Sequence, residues 1–211
     1  MSELNNKLKK LILIAFALSG MTALIYEVVW SRPLQLIFGS TIYAVSTILT
    51  TFFIGFTLGS YAFRNSADKI KNPVRLFAFL ELGIGLYGLI ILWLFKILPN
   101  IYLSLTEIPG IQFIQFFFIF LILIIPTTLF GATWPVINKA CINHEKLGKD
   151  AAKLYSSNSF GSFLGPLVAG FLLIPFLGIK ATALVVASIN ILIAISIFIF
   201  SKNMKEVKNE S

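Results

Sequence analysis

Cysteine and histidine are almost missing: Cys141 is the single cysteine and His144 the single histidine in 211 residues. One cysteine excludes a disulfide framework and any cysteine-based metal cluster. A Ser-His-Asp or Cys-His arrangement would have to be built on one histidine in a charged connection, so hydrolytic catalysis is not expected. Charge is scarce as well, at 12% of residues against 57% hydrophobic, where soluble domains carry about 25%. No P-loop, H-E-x-x-H or EF-hand spacing occurs. Gly83-Ile84-Gly85-Leu86-Tyr87-Gly88 matches the dinucleotide pattern. That pattern has meaning only between a strand and a helix start, and here it lies inside an apolar run. These absences set aside the soluble enzyme, the secreted disulfide scaffold and the disordered tail, and no cofactor is expected.

Long apolar runs are what the chain does have, with a mean hydropathy of +0.90. A transmembrane helix needs about 20 apolar residues. Six runs meet that length, over 11–31, 41–63, 76–98, 111–136, 154–177 and 181–200. The expected fold is an all-α integral membrane protein, a single six-helix transmembrane domain over 1–211. The first run follows Lys7, Lys9 and Lys10 and contains small residues, as a signal peptide does, but it continues past Tyr26 to Trp30 and reads as a full span.

The basic residues orient these spans. Of 17 Lys and Arg residues, only Arg32, Lys96 and Lys180 fall on one side; the rest gather on the other, at the two ends and in the second and fourth connections. The positive-inside rule then places both termini in the cytoplasm of a multi-pass plasma-membrane protein. The net charge of +8 is accounted for by orientation and by contact with anionic lipid of the bilayer, so no nucleic-acid partner is expected. Trp30, Tyr43, Trp93 and Tyr102 fall near the outer interface, and Tyr61, Trp134 and Tyr155 near the inner one.

The halves of the chain echo each other. Span one ends in Trp30-Ser31-Arg32-Pro33 and span four near Trp134-Pro135; span two carries Gly55 and Gly59, span five Gly161 and Gly165; span three has an interior Glu81 where span six has an interior Asn190. Two three-helix units in one chain run in opposite senses, the inverted 3+3 plan of many secondary transporters. The same small residues are also what close helix packing requires, with no substrate involved.

Two acidic residues, Glu27 and Glu81, lie within spans. An ionisable group there costs at least ~2.5 kcal/mol on insertion scales, so its retention needs a partner, a wet cavity or a function. Glu27 sits about four residues from the outer end of span one, ~6 Å below the interface, and Arg32 follows five positions on. Either the two form a structural ion pair, or Tyr26, Glu27, Trp30 and Arg32 wall a pocket for a cationic ligand. Glu81 lies near the inner end of span three at the depth of Asn158, giving a hydrogen bond to Asn158 or Ser159, or an inner relay station opposite Glu27. In Pro126–Pro135 the prolines free backbone carbonyls that either line a cavity or are capped by Thr127, Thr128 and Thr133. No residue is expected to bind metal or act catalytically.

Several blocks carry a family resemblance. Ser19-Gly20, Ala23-Leu24-Ile25-Tyr26-Glu27-Val28-Val29-Trp30-Ser31-Arg32, Phe38-Gly39-Ser40, Gly55-x-x-x-Gly59-Ser60, Leu80-Glu81-Leu82-Gly83-Ile84-Gly85, Gly131-Ala132-Thr133-x-Pro135 and Leu154-Tyr155-x-x-Asn158-x-x-Gly161 occur in order. Together they resemble the transmembrane domain of membrane-bound spermidine synthase-like proteins. In that family the membrane domain is commonly followed by a soluble aminopropyltransferase domain. This chain ends in a short charged tail after the sixth run, so the family's catalytic residues have no positions here and the chain alone is not expected to be an enzyme. The resemblance implies a stand-alone membrane subunit that binds or passes a polyamine, through Tyr26, Glu27, Trp30 and Arg32 outside and Glu81 and Asn158 inside, or that docks a separate aminopropyltransferase-like partner. The basic connection from Arg64 to Arg75 is similar to a loop of major facilitator superfamily transporters. That similarity implies a half-size transporter working with a second copy of itself through the Gly55/Gly59 or Gly161/Gly165 faces. A purely structural anchor is the third expectation.

Overall fold

The computed structural model describes residues 2–70, 72–103, 110–142 and 147–209, with side chains described outside 2–7, 65–69, 99–103 and 202–209. His144 and several connection charges, Glu107 and Lys146 among them, lie outside the described residues. Every regular element described is helical: α1 (Ser2–Phe38), α2 (Thr41–Lys69), α3 (Pro73–Leu103), α4 (Ile111–Cys141), α5 (Leu147–Val168) and α6 (Ile174–Asn209), with a π-helical turn, Ala169–Leu173, joining the last two. Five helices are long and apolar enough to cross a membrane, the fifth being the continuous segment Leu147–Ser201 where two separate spans were expected. Within that segment Gly178 leaves helical geometry at φ 79°, ψ 169°. Large apolar side chains cover the outside, Phe113 with 81% of its surface exposed. A surface of that kind suits lipid, as in a multi-pass membrane protein.

The helices outrun the expected boundaries. α1 continues through Pro33 to Phe38, and α4 passes both Pro126 and Pro135 before ending at Cys141. Proline removes one intrahelical donor and frees the carbonyl four residues earlier. In apolar surroundings stopping the helix would free several such groups, so continuing it costs less. Neighbouring helices take up the freed carbonyls of α4: the Tyr87 hydroxyl donates to Ile122 O at 3.1 Å, and the Ser60 hydroxyl to Gly131 O at 3.0 Å. Two of the three threonines expected to cap them bond elsewhere, Thr127 to Leu123 O at 2.7 Å and Thr133 to Phe130 O at 2.6 Å. At the far end of α1 the Gln115 amide donates to Ile37 O at 3.1 Å, in the turn where helical carbonyls run out of partners.

Three seams organise the bundle. α2 lies along α4 in the same direction, with Gly55 against Thr127 and Gly59 against the Thr128 and Ala132 backbone. α5 lies along α1 in the same direction, with Gly161 against Ala17 and Gly165 against Met21. α6 runs opposite to α3, bringing Asn190 to Glu81 and Ala187 to Gly85. All four glycines of the two small-residue motifs are thus occupied within the chain, so they do not offer the dimer faces considered from sequence.

Candidate functional site

Glu81 on α3 and Asn190 on α6 meet α1 in the fully buried interior. The Asn190 amide nitrogen donates to Glu81 Oε2 at 2.7 Å and to Thr22 Oγ1 at 3.0 Å. The Thr22 hydroxyl in turn donates to Ser19 O at 2.9 Å. A buried carboxyl is tolerable only with such donors around it. Glu81 Oε1 and Asn190 Oδ1 remain buried without a hydrogen bond. Polar atoms left without a partner inside an apolar bundle are costly.

Ser19 connects this cluster to a cavity. Its side chain lies alongside the Glu81 carboxyl, and it also lines an opening of about 200 Å³ bounded by α1, α2, α4 and α5. The polar part of that lining comes from Ser19, Ser60, Thr133, Asn158 and Ser162, and the aromatic part from Phe16, Phe56, Phe130 and Trp134. Among the described residues no lysine or arginine lines it. Its edge is firm, since Trp134 packs against Phe16 at 5.7 Å and against Tyr155 at 6.1 Å between ring centroids.

The residues expected to form an outer pocket are separated. Tyr26 and Trp30 stack at 4.8 Å between centroids and are buried in the core, with the Tyr26 hydroxyl against Gly88. Their positions, four apart, put both rings on the inward face of α1. Glu27 is turned about 100° away and lies half-buried in a shallow groove with Val45, Ile48 and Leu49 of α2. Arg32 is exposed and forms no ion pair with Glu27. Five positions along a helix correspond to about 140° around its axis, which points the two side chains apart. We expect Glu27→Gln to leave stability unchanged within about 0.5 kcal/mol, as for a substitution that breaks no partner. Denaturation in detergent would show this, and a loss above ~1 kcal/mol would restore the ion pair.

The inner pairing also changes. Asn158 does not meet Glu81; its amide donates to Phe16 O at 3.0 Å, beside the Ser157 hydroxyl on Leu13 O at 2.7 Å. Both bonds pin α5 to α1, and Asn158 faces the cavity. The partner of Glu81 is Asn190, which the comparison of the two halves places opposite it in sequence. Thr22 and Ser162 gave no signal, and Ser19 and Ser60 entered only as members of the family blocks, because single small hydroxyls are common in membrane helices, where they often bond their own backbone. No family model, curated protein or solved structure matches the chain.

Proposed function

We propose that the chain is a membrane unit that binds a small cationic metabolite of the polyamine class in the cavity between the α1/α5 and α2/α4 pairs, with Glu81 as the counter-charge behind Ser19. The observation that carries this is the composition of the cavity wall: hydroxyl and amide oxygens, four aromatic rings, no basic side chain among the described residues, and the buried carboxyl one residue beyond. Aromatic faces and oxygen acceptors attract an ammonium group where few other groups in an apolar bundle do. At about 200 Å³ the cavity is smaller than the ~300 Å³ at which drug-sized pockets begin, which favours a slender ligand. The resemblance to the membrane domain of spermidine synthase-like proteins supports the same chemistry. In this reading Glu27 and Arg32 lie outside the site, and Tyr26 and Trp30 support it from the core.

The plan of the seams favours a transporter-like arrangement. Exchanging α1 with α4, α2 with α5 and α3 with α6 turns the α1/α5 seam into the α2/α4 seam and returns α3/α6 to itself. Gly55 and Gly59 exchange with Gly161 and Gly165, and Glu81 with Asn190. We read this as an inverted 3+3 repeat of six spans, with Gly178 as the turn between the last two and both termini cytoplasmic. The cavity then lies between the repeats, where such proteins hold their solutes.

Thermal unfolding of the purified protein with spermidine, putrescine or S-adenosylmethionine tests the reading. A ligand that binds only the folded state stabilises it by RT ln(1 + [L]/Kd), about 2.7 kcal/mol at a hundredfold excess over Kd. The expected result is a saturable rise with a polyamine that Glu81→Gln and Ser162→Leu abolish. No polyamine shift in the unmutated protein, or an undiminished shift in both variants, sinks the proposal.

A further inference from the structure

A second polar cavity, of about 270 Å³, opens where α1 and α5 begin and α4 ends. Lys9, Lys10 and Lys153 line it with Asp150 and Cys141. Three ammonium groups against one carboxylate leave it strongly positive, and all three lysines are exposed at its mouth. Leu13 and Leu154 also line it, and Leu13 begins a separate groove of about 280 Å³ that climbs the α1/α5 seam. Ile14, Leu18 and Met21 form one wall of that groove, Phe160 and Leu164 the other. The one polar side chain along it, Ser157, already donates its hydroxyl to Leu13 O at 2.7 Å.

Both walls follow helical spacing. Lys10, Ile14, Leu18 and Met21 share one face of α1, and Lys153, Ser157, Phe160 and Leu164 one face of α5. Each stripe starts at a lysine and continues into apolar surface. We infer that these two cavities together hold one anionic phospholipid, its phosphate among Lys9, Lys10 and Lys153 and an acyl chain in the groove between α1 and α5. Charge complementarity selects the headgroup, as basic pockets between membrane helices do. The adjoining groove, apolar and open to the side, selects a lipid over a free phosphate, which would have no use for it. This site is separate from the Ser19 cavity and opposite to it in sign, so neither reading rests on the other.

The experiment titrates protein in uncharged detergent with dioleoyl-phosphatidylglycerol, dioleoyl-phosphatidylcholine or inorganic phosphate, reading melting temperature and lipid adducts by native mass spectrometry. Phosphatidylglycerol is expected to bind saturably and to raise the melting temperature, the other two much less. Combining Lys9→Gln, Lys10→Gln and Lys153→Gln should weaken binding ~100-fold, at ~5-fold per lysine near an anionic headgroup. The same three positions changed to arginine should bind within a few fold of the original, which separates charge from folding. Arg75→Gln, Lys96→Gln and Lys180→Gln together remove equal charge elsewhere and should leave binding unchanged. Equal binding of phosphatidylcholine, a full response to phosphate alone, or equal losses in the two glutamine variants would each overturn the inference.

Discussion

Asn190→Leu is expected to destabilise the protein by about 3 kcal/mol, and adding Glu81→Leu to recover most of that loss. The single change removes the donor at 2.7 Å from Glu81 Oε2, whose other oxygen already has no hydrogen bond. Stripping one partner from a buried charged group typically costs ~3–5 kcal/mol, because the remaining group stays desolvated and unpaired. Removing both partners takes away the cost together with the bond, and leucines of similar volume can be nearly neutral there. Ordinary hydrogen bonds between membrane helices are worth only ~0.6 kcal/mol on average in double-mutant cycles. A coupling above ~1.5 kcal/mol would therefore mark Glu81 and Asn190 as more than a routine contact. Unfolding of the four proteins in mixed micelles measures it, and strict additivity of the single changes would remove the pair from the argument. The double variant should also lose the polyamine response while remaining folded, which separates the role of Glu81 in binding from its role in stability.

The second large effect belongs to the glycine seams. Gly161→Ala is expected to cost about 1–3 kcal/mol, the usual range for overpacking a close contact, and Gly161→Leu to prevent folding. A Cβ on Gly161 runs into the carbonyl of Ala17, and one on Gly59 into the backbone of Thr128 and Ala132. Backbone cannot swing aside as a side chain can, so the two helices must separate. Gly165→Ala should behave alike, its Cβ falling 2.5 Å from Met21 O. Gly148→Ala is the control, because nothing lies within 4 Å of its Cβ position. There alanine should be neutral or stabilise slightly through its better helix propensity. Yields and melting temperatures of the four variants in detergent decide the matter, and a Gly161→Ala protein as stable as Gly148→Ala would mean that the α1/α5 seam is looser than described. Since Gly161 lies beside Ser162 in the cavity wall and against Ala17 in the lipid groove, opening this seam should weaken both proposed sites together.

The polar interior could be read from composition only in part. Glu81 stands out in any apolar run, and its burial follows from the cost of leaving a carboxyl in lipid. Its partner was less legible: Asn158 lies at similar depth, but on the face of α5 that turns to α1, where Phe16 O takes its amide. Depth along a helix is set by 1.5 Å per residue and can be counted; direction depends on which neighbour the helix meets. The same distinction dissolved the outer pocket. Tyr26, Glu27, Trp30 and Arg32 are near one another in sequence, yet α1 divides them among the core, a side groove and the exterior.

By itself the sequence determined the all-helical class, the apolar exterior, the scarcity of chemistry-bearing side chains and the use of small residues for close approach. Each of these is a property of composition and period, because a bilayer demands helices with satisfied backbones and apolar surfaces whatever the topology. Tertiary structure alone decided that α1 pairs with α5 and α2 with α4, that Tyr87 and Ser60 receive the carbonyls freed by Pro126 and Pro135, and that Ser19 stands between a cavity and a buried carboxyl. Those facts join residues up to 144 positions apart, as Gly161 is from Ala17. Which helix faces which is a matter of packing shape, and in apolar surroundings no hydrophobic pattern singles out one neighbour over another.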